Sequence, residues 1–339
     1  MTEAVIALSG GIGGAKLALG LSRALPPQEL LLVANTGDDF DHLGFHICPD
    51  IDTLIYTLGG VSNTELGWGR ADETWTFMEE LRKQDPEQAW FLLGDKDLET
   101  HRLRRDALQA GMSLTEATAR LARHYGAGSD GAGATILPMS DDPVRTWLQV
   151  EDEAGSRWLP FQEYFVKLQC RPVIRQIEYR GASRANLSPP LRTALQAGRI
   201  RALILCPSNP FLSIDPILAV PGLRRLLQDS GAPIVAVSPL VGGRALKGPT
   251  AKIMGELGLA TDVLAVAAHY RGLIDGLVID REDAGLRPRL LEEGLQVAVT
   301  DTVMRSLEDR VQLARDVLGF ADAIADTIAG SPARPAPTG

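Results

Sequence analysis

The stretch Ala4-Val-Ile-Ala-Leu-Ser-Gly-Gly-Ile-Gly-Gly-Ala-Lys16 decides the fold. Its apolar run stops abruptly at glycine, which is typical of a buried strand that reaches its carboxyl end in an open α/β sheet. Lys16 follows on an Ala- and Leu-rich segment that predicts a helix. Glycines let backbone amides approach an oxyanion, and a helix N-terminus adds positive potential there. The loop therefore predicts a phosphate site at four glycines: Gly10, Gly11, Gly13 and Gly14.

A second apolar run, Leu31-Leu-Val-Ala-Asn-Thr-Gly-Asp-Asp39, ends in acid instead of glycine. More acids follow at Asp41, Asp50 and Asp52, and residues 50–58 predict a helix with acids in its first turn, where they suit the helix dipole. Carboxylate oxygens beside a phosphate cradle are the ligands that Mg²⁺ prefers. The two stretches together predict a site for a nucleotide and a divalent metal.

Neither familiar nucleotide fingerprint fits the glycine loop. A P-loop needs G-x-x-x-x-G-K-[ST], whereas Ala15 precedes Lys16 here and Leu17 follows it. The dinucleotide motif G-x-G-x-x-G, aligned at Gly11 and Gly13, puts Lys16 where the helix-packing glycine belongs. The glycines alone leave open a tight strand-to-helix turn without a ligand.

Composition sets the class of protein. The chain has 339 residues, 45% hydrophobic and 23% charged, as in a soluble globular protein of one large domain or two modest ones. A net charge of −9 argues against a general nucleic-acid binder but not against a nucleotide ligand.

Without a signal peptide or an apolar run of about 18 residues, we expect a cytoplasmic protein with no membrane partner. Cys48, Cys170 and Cys206 are too scattered for a disulfide framework or a CxxC metal site, so buried thiols are expected.

Strand–helix alternation at both ends predicts a doubly wound, mostly parallel, Rossmann-like α/β sheet. Residues 59–176 interrupt this rhythm with helical periodicity around 73–82, 99–110 and 114–124, which predicts a mainly helical insertion over the ligand edge. We expect a single domain over residues 1–330 and a disordered, Pro- and Ala-rich tail at 331–339. Other strands are expected at 30–34, 202–206, 234–237, 276–280 and 296–300, and a last helix at 307–328.

Parallel pairing places four loops on one sheet edge: the glycine loop, the Asp38 loop, Ser208-Asn209-Pro210 and the loop with Arg244 and Lys247. Arg244 and Lys247 are expected to clamp a diphosphate, with Lys247 favoured because Arg244 could be a surface charge. Ser208 and Asn209 would contact the nucleotide, although Ser-Asn-Pro is also good turn chemistry. One shared edge predicts one active site.

Several segments together resemble the 2-phospho-L-lactate transferase (CofD-like) family. The resemblance runs in register from about residue 4 to residue 280. Its blocks are Ser9-Gly-Gly-Ile-Gly-Gly-Ala-Lys16, Asn35-Thr-Gly-Asp-Asp39, Cys48-Pro-Asp-Ile-Asp-Thr53, Gly67-Trp-Gly69, Gly94-Asp-Lys-Asp-Leu98 with Thr100-His101, Leu137-Pro-Met-Ser-Asp-Asp-Pro143, Pro207-Ser-Asn-Pro210 with Ser213-Ile-Asp-Pro-Ile217, and Val237-Ser-Pro-Leu-Val-Gly-Gly-Arg-Ala-Leu-Lys-Gly-Pro249.

The resemblance implies a step in the biosynthesis of the deazaflavin coenzyme F-420. The ribityl hydroxyl of the deazaflavin Fo attacks the phosphoryl group that carries a three-carbon acid in a guanosine diphospho-donor, and GMP leaves. Such a transfer needs positioning and charge neutralisation, with little covalent chemistry by the protein. The donor acid is phospholactate, phosphoenolpyruvate or phosphoglycerate, and we favour phosphoenolpyruvate because the Gly-Asp-Asp and Gly-Trp-Gly blocks look like those of bacterial members.

The resemblance also assigns roles to single residues. Asp38 and Asp52 would be the catalytic acids that hold Mg²⁺, with helix capping as the alternative for both. Asp52, Leu92 and Asp95 would contact Fo. His101 could assist proton transfer, although a structural hydrogen bond is favoured, and no general base is assigned. Three further acids are expected to be helix caps or solvated loop charges: Asp39, Asp41 and Asp50.

Two other classes of function compete with the transferase. A related fold could bind a sugar nucleotide as a regulatory protein, but the blocks at residues 48–52 and 94–97 favour the transferase. A dehydrogenase with Asp38 as its ribose acid conflicts with the failed glycine register and with the absence of an obvious catalytic His or Tyr-x-x-x-Lys pattern. The expected assembly is a homodimer.

Overall fold

The computed structural model describes residues 3–65, 67–128, 134–246 and 248–329. The strands are β1 (Ala4–Ser9), β2 (Leu30–Ala34), β3 (Phe40–His42), β4 (Phe45–Ile47), β5 (Thr135–Pro138), β6 (Arg145–Asp152), β7 (Gly155–Pro160), β8 (Val173–Arg180), β9 (Ile200–Leu205), β10 (Ile234–Val237), β11 (Leu240–Val241), β12 (Arg244–Ala245), β13 (Gly276–Asp280) and β14 (Gln296–Thr300). The helices are α1 (Gly11–Ala24), α2 (Pro49–Leu58), α3 (Thr76–Gln84), α4 (Asp95–Gln109), α5 (Leu114–His124), α6 (Pro189–Gln196), α7 (Asp215–Leu218), α8 (Leu223–Asp229), α9 (Thr250–Glu256), α10 (Val263–His269), α11 (Arg287–Glu292) and α12 (Leu307–Ala329).

In the described ranges, seven strands form the central sheet in the order β14-β13-β10-β9-β1-β2-β5, and every neighbouring pair is parallel. The chain builds the sheet outward from β1 in one direction and then returns to add β9 on the other side of β1. This is the doubly wound, Rossmann-like order, whose switch point lies between β1 and β9. The predicted fold class is confirmed.

The central strands are almost continuously apolar because both faces of the sheet are covered. Along β1, Val5 and Ala7 face a core formed with α1, α2 and α12, whereas Ile6 and Leu8 face a second core on the opposite side. Residues from α6, α8 and α10 build that second core together with β6. Because all the neighbouring strands are parallel, the loops at their carboxyl ends meet at one edge of the sheet.

The segment predicted as a mainly helical insertion is mainly helical in its first half and mainly strand in its second half. There α3, α4 and α5 occupy the predicted places, but β5 then joins the central sheet beside β2. Residues 145–180 form the antiparallel sheet β7-β6-β8. For most of residues 135–176 the helical prediction is therefore wrong, although a π-helix spans Glu163–Lys167. Strand β6 alternates buried and less buried residues along most of its length, which is the two-residue period of a strand.

Two further sequence expectations concern the ends and the membrane. The predicted tail, 331–339, lies outside the described residues. Of the helices that the structure describes, none is both long enough and apolar enough to cross a membrane.

Helix α1 lies unusually close to α12 at Gly20. A Cβ atom at Gly20 would stand 2.0 Å from the carbonyl oxygen of Arg310 and 3.2 Å from the Cβ of Ala314. The obstacle is backbone, which cannot rotate away as a flexible side chain can. Gly20 is therefore required by helix packing rather than by the conformation of its own backbone.

Substitution Gly20→Ala should destabilise the protein by about 1–3 kcal/mol, because overpacking displaces one helix from the other. The matched control is Gly319→Ala, since Gly319 is an exposed α12 residue whose added Cβ would contact nothing within 4 Å. That change should stabilise the protein by about 0.5–1 kcal/mol, the ordinary gain of alanine in a helix. Urea unfolding measures both, and equal effects of the two substitutions would contradict the close approach.

Candidate active site

A cleft of about 680 Å³ opens at the carboxyl edge of the sheet, next to the switch point between β1 and β9. It brings together loops that follow β1, β2, β9, β10 and β14. Of the predicted site residues in the described ranges, Gly14, Asp95 and Arg244 do not line it. Those that do are Gly10, Gly11, Gly13, Lys16, Asp38, Asp52, Leu92, Ser208 and Asn209.

The glycine loop is held against the loop after β9. A Cβ at Gly13 would stand 2.3 Å from the Pro207 carbonyl oxygen, and one at Gly14 would stand 2.5 Å from Ser208 Oγ. Ser208 Oγ accepts a hydrogen bond from Gly10 N (3.1 Å) and donates one to Gly10 O (2.6 Å). Glycine is needed at these positions because two loops from adjacent strands touch. Gly14 is thus a packing residue rather than a ligand-facing one.

The carboxylate of Asp50, a residue of α2, binds the N-terminus of α1. Its Oδ1 accepts a hydrogen bond from Gly11 N (2.6 Å) and its Oδ2 accepts one from Asn35 Nδ2 (2.9 Å). Burial raises the pKa of Asp50 to about 6, even though both hydrogen bonds favour the ionised form. Asp50 therefore caps the N-terminus of α1 and is not a solvated charge, so of the two expected roles the structure shows the helix cap. Asp50 positions the glycine loop.

One carboxylate oxygen of Asp38, an acid that lines the cleft, accepts no hydrogen bond from the described residues. The residue is buried, and its Oδ1 has no hydrogen-bond partner among the described residues. Burial, followed by the nearby charge of Asp50, raises the pKa of Asp38 well above its usual value, although a hydrogen bond from Asn35 opposes the shift. A buried carboxylate oxygen that lacks a partner is costly unless a cation or donor reaches it. Asp38 is thus ready to accept a cation.

Asp52 is held by Arg104, a fully buried residue of α4. Arg104 Nη1 donates to Asp52 Oδ2 at 3.1 Å, and Nη2 donates to Asp52 Oδ1. Burial raises the pKa of Asp52, while the charges of Arg104 and His101 oppose the shift. This forked ion pair joins α4 to α2 and gives Asp52 one fixed orientation.

A second polar chain extends from Asp52 through α4. His101 Nδ1 lies 3.8 Å from Asp52 Oδ2, and its Nε2 lies 3.3 Å from Asp97 Oδ2. Tyr56 donates a 2.5 Å hydrogen bond to Asp97 Oδ1. Burial raises the pKa of Asp97, but the charge and hydrogen bond of His101 outweigh it and leave the pKa below its usual value. His101, Asp97 and Tyr56 all line the cleft.

Asp95 lies outside the cleft and caps α3. Its carboxylate accepts hydrogen bonds from Thr74 Oγ1 (2.6 Å), Thr76 N (2.9 Å) and Phe77 N (3.0 Å). These bonds, that of Thr74 foremost, lower the pKa of Asp95 to about 2. The Asp95 carboxylate is thus engaged in capping and does not face the cleft, and the predicted contact between Asp95 and Fo stays a prediction. The acid of this block that does line the cleft is Asp97.

Arg244, one of the two cations predicted on the loop after β10, does not line the cleft. The Arg244 side chain is 78% exposed and lies 3.5 Å from Glu282 Oε2, so its predicted role as a diphosphate clamp is not supported by its position. Lys247 lies outside the described residues. Its neighbours Leu246 and Gly248 line the cleft.

Lys16 and Asn209 are anchored in different ways. Lys16 Nζ donates a 3.0 Å hydrogen bond to the carbonyl of Met304, which follows β14. Asn209 Oδ1 accepts hydrogen bonds from Phe211 N (2.9 Å) and Leu212 N (3.1 Å), so the turn chemistry anticipated for Ser-Asn-Pro is present. The buried Nδ2 of Asn209 has no hydrogen-bond partner among the described residues. The cleft thus has an unsatisfied donor as well as an unsatisfied acceptor.

Part of the cleft wall is apolar and aromatic. Phe161 and Phe165 lie nearly parallel, with ring centroids 5.2 Å apart and an interplanar angle of 24°. Trp68 is 40% exposed, and its partner Trp75 contacts it edge-on. Leu92, placed here by the sequence prediction, belongs to the same wall, which also includes Ile47, Phe91 and Val166. Such a wall suits a flat, aromatic ligand.

Sequence reasoning missed Arg104 and the residues Phe161, Gln162 and Phe165. The sequence could have indicated Arg104, because it follows His101 by three residues and therefore lies on the same face of α4. The other three residues lie after β7, in the part of the chain that was expected to be helical. Gln162 Nε2 donates to the Asp38 carbonyl at 3.2 Å, so this missed region also supports the Asp38 loop.

The fold and cleft define a Rossmann-like α/β protein with a ligand site at its switch point. The chain belongs to the 2-phospho-L-lactate transferase CofD family, whose family model matches residues 5–317. It is therefore a member of a transferase family, as the sequence blocks predict.

Curated relatives agree with this assignment, and a solved structure agrees with the fold. The chain is 38% identical over 321 residues to a phosphoenolpyruvate transferase of Streptomyces griseus, covering 94% of this chain and 99% of the relative. It is 38% identical over 289 residues to a phosphoenolpyruvate transferase of Thermobifida fusca, covering 83% and 87%. A crystal structure of a UPF0052 family member from Bacillus halodurans matches 94% of this chain and 99% of that chain, with a TM-score of 0.57 and 13% identity. That last likeness shows the fold alone.

Substitution Arg104→Met should lower the free energy of unfolding by about 3–5 kcal/mol, because it leaves the Asp52 carboxylate buried and unpaired. The exposed neighbour Arg102 is the control, and Arg102→Met should change stability by no more than about 0.5 kcal/mol. The double variant Arg104→Met/Asp52→Asn should recover part of the loss, since it removes the stranded charge. Urea titrations that find the double variant less stable than Arg104→Met would contradict the pairing.

Proposed function

We propose that this protein transfers a phosphoenolpyruvyl group from a guanosine diphospho-donor to the ribityl hydroxyl of the deazaflavin Fo, with release of GMP, in coenzyme F-420 biosynthesis. The observation that carries the proposal is the composition of the cleft. It combines a glycine loop, an unsatisfied carboxylate oxygen on Asp38, an unsatisfied amide donor on Asn209 and an aromatic wall. The names of the curated relatives support the phosphoenolpyruvyl group in particular.

The donor's diphosphate would lie at the start of α1. The amides of Gly10 and Gly11 are already occupied by Ser208 and Asp50. The next amides, of Ile12 and Gly13, have no helical acceptor before them in the chain and are available for phosphate oxygens. Asn209 Nδ2 would donate to the same ligand, and Lys247 would add the positive charge.

Mg²⁺ fits the acids of this cleft. Asp38 has a buried oxygen without a hydrogen-bond partner, which is the feature that a hard cation would satisfy. Asp52 keeps lone pairs beyond those that Arg104 engages, so Asp38 and Asp52 would hold the ion. When bound, Mg²⁺ neutralises charge on the phosphate oxygens. Arg104 fixes the orientation of Asp52 throughout.

The aromatic wall would take the deazaflavin ring. Phe161, Phe165 and Trp68 present ring faces and edges, and Leu92 extends the apolar surface. The ring would hold the acceptor so that its hydroxyl oxygen approaches the donor phosphorus as the bond from phosphorus to the GMP oxygen breaks. The protein would contribute position and charge, as phosphoryl transfer requires.

The reaction is tested by incubating the full-length protein with Mg²⁺, Fo and each of three guanosine diphospho-donors, which carry phosphoenolpyruvate, phospholactate or phosphoglycerate. Mass spectrometry of the products should find the enolpyruvyl phosphodiester as the main product, together with GMP. A saturated phospholactyl product alone would overturn the donor preference. Binding of a nucleotide without any product from the three donors would favour the regulatory alternative.

Substitution Asp38→Asn should lower turnover at least ~10-fold, as expected when a group that positions a metal is removed. The melting temperature should be unchanged or higher, because burial already disfavours the ionised form of Asp38. The control Asp229→Asn changes an exposed acid of α8 and should leave turnover unchanged. Full activity of the Asp38 variant at limiting Mg²⁺ would remove it from the metal site.

Substitution Lys247→Ala should weaken binding of the guanosine donor by about 1.5–3 kcal/mol, the value of a hydrogen bond to a charged group. Fo binding, followed by its fluorescence, should hardly change, because Fo carries no diphosphate. Arg244→Ala is the control from the same loop, and it should leave donor affinity nearly unchanged since Arg244 is solvent-exposed. Equal losses for Fo and donor would give Lys247 a structural role instead.

A further inference from the structure

Asp39, His46 and Cys48 form a cluster that none of the proposed chemistry uses. One carboxylate oxygen, one ring nitrogen and the sulfur all lie within 4.8 Å of one another. Asp39 and Cys48 are buried, and the His46 side chain is 20% exposed. Asp39 follows Asp38 directly, but the cluster does not line the cleft described above.

The β3–β4 hairpin brings these residues together. Asp41 pairs with His46 and Phe40 with Ile47 across it, and Asp39 and Cys48 are the residues that directly flank the last pair. Residues two apart on a strand share a face, so all four lie on one side of the hairpin. The two-residue turn has positive φ at both Leu43 (52°) and Gly44 (76°), the geometry that tightens a hairpin. The cluster is thus fixed by backbone geometry and not by chance side-chain positions.

The Asp39 carboxylate lacks the donors that its burial requires. Neither of its oxygens has a hydrogen-bond partner among the described residues, and the nearest cationic group is the His46 ring, with Nε2 3.6 Å from Oδ2. A buried carboxylate without hydrogen bonds is costly. A metal ion between Asp39, His46 and Cys48 would satisfy it.

His46 has the arrangement of a metal ligand. Its Nδ1 lies 2.8 Å from Asp41 Oδ1, while Nε2 faces Asp39. Metal-bound histidines almost always donate their other ring N–H to a carboxylate or carbonyl, which orients the ring. Arg104 Nη1 donates to the His46 carbonyl at 3.3 Å and fixes the backbone behind the ring.

The surroundings leave room for a further ligand. Asp39 and His46 line a small cavity of about 260 Å³ together with Thr36, Asp141, Asp142 and Arg145. The cations facing the cluster are Arg145, beside His46, and Arg104, which is paired with Asp52. A water molecule in the cavity could complete a tetrahedral site.

We propose that Asp39, His46 and Cys48 bind a zinc-class divalent cation that fastens the loop carrying Asp38 to the β3–β4 hairpin. Thiolate and imidazole ligands select Zn²⁺ over Mg²⁺, which prefers oxygen ligands alone. The site is therefore distinct in chemistry from the Mg²⁺ site of the proposed reaction. Its test needs neither Fo nor a nucleotide.

The experiment measures cation binding by the full-length protein. Dialysed protein in excess Mg²⁺, which fills the carboxylate site of the proposed reaction, should bind one equivalent of Co²⁺ with a thiolate-to-cobalt charge-transfer band. Zn²⁺ should bleach the band and raise the melting temperature. Cys48→Ser should abolish the band, and His46→Ala should weaken binding at least ~10-fold. The control is Cys170→Ser, which should keep the band because Cys170 lies outside the cluster. The structure shows the Cys170 thiol half-buried, whereas the sequence analysis expected it to be buried.

A milder variant guards against misfolding. Asp41→Asn alters only the residue behind His46 and should weaken Co²⁺ binding ~10-fold while the circular dichroism spectrum stays that of the wild type. Folded wild-type protein that gives no cobalt band and no Zn²⁺-dependent rise in melting temperature would overturn the proposal. A band that survives in Cys48→Ser would place the cation elsewhere and would overturn it too.

Discussion

The contact between the glycine loop and the loop after β9 is the constraint on which the site depends. Strand order reverses between β1 and β9, so the loops at their ends run in opposite directions and leave a crevice between them. Gly13 and Gly14 fit against Pro207 and Ser208 beside this crevice. A side chain at Gly13 would meet the Pro207 backbone carbonyl and would force the two loops apart.

The role of each acid near this crevice depends on its hydrogen-bond partners in the fold and not on its spacing in the sequence. Asp50 accepts from backbone and amide donors, Asp52 from a buried guanidinium, and Asp95 from the start of a helix. Asp38 and Asp39 are neighbours in sequence, yet each has a buried oxygen without a donor and they serve different cavities. A cation binds most readily at a carboxylate oxygen that accepts no hydrogen bond. Among these acids, Asp38 and Asp39 have such oxygens.

Elements bounded by strong local signals could be predicted from the sequence, and elements that depend on distant partners could not. Strands β10, β13 and β14 match their predicted bounds because each is an apolar run between turn residues. Strand β5 was missed because it lies within the segment read as helical, and it becomes a strand by pairing with β2. Most predicted cleft residues follow strands directly, where the topology fixes them. The capping role of Asp95 was missed because its partners lie about twenty residues earlier in the chain.

The Arg104–Asp52 pair has a consequence for how this architecture can vary. A guanidinium from the helical segment neutralises a carboxylate in the sheet's own ligand-facing helix, so the two parts are not modular. A shortened version that dispensed with α3, α4 and α5 would lose the guanidinium that orients Asp52, so the carboxylate would no longer have one fixed position. Any attempt to graft this cleft onto a minimal Rossmann scaffold would therefore have to supply another partner for Asp52.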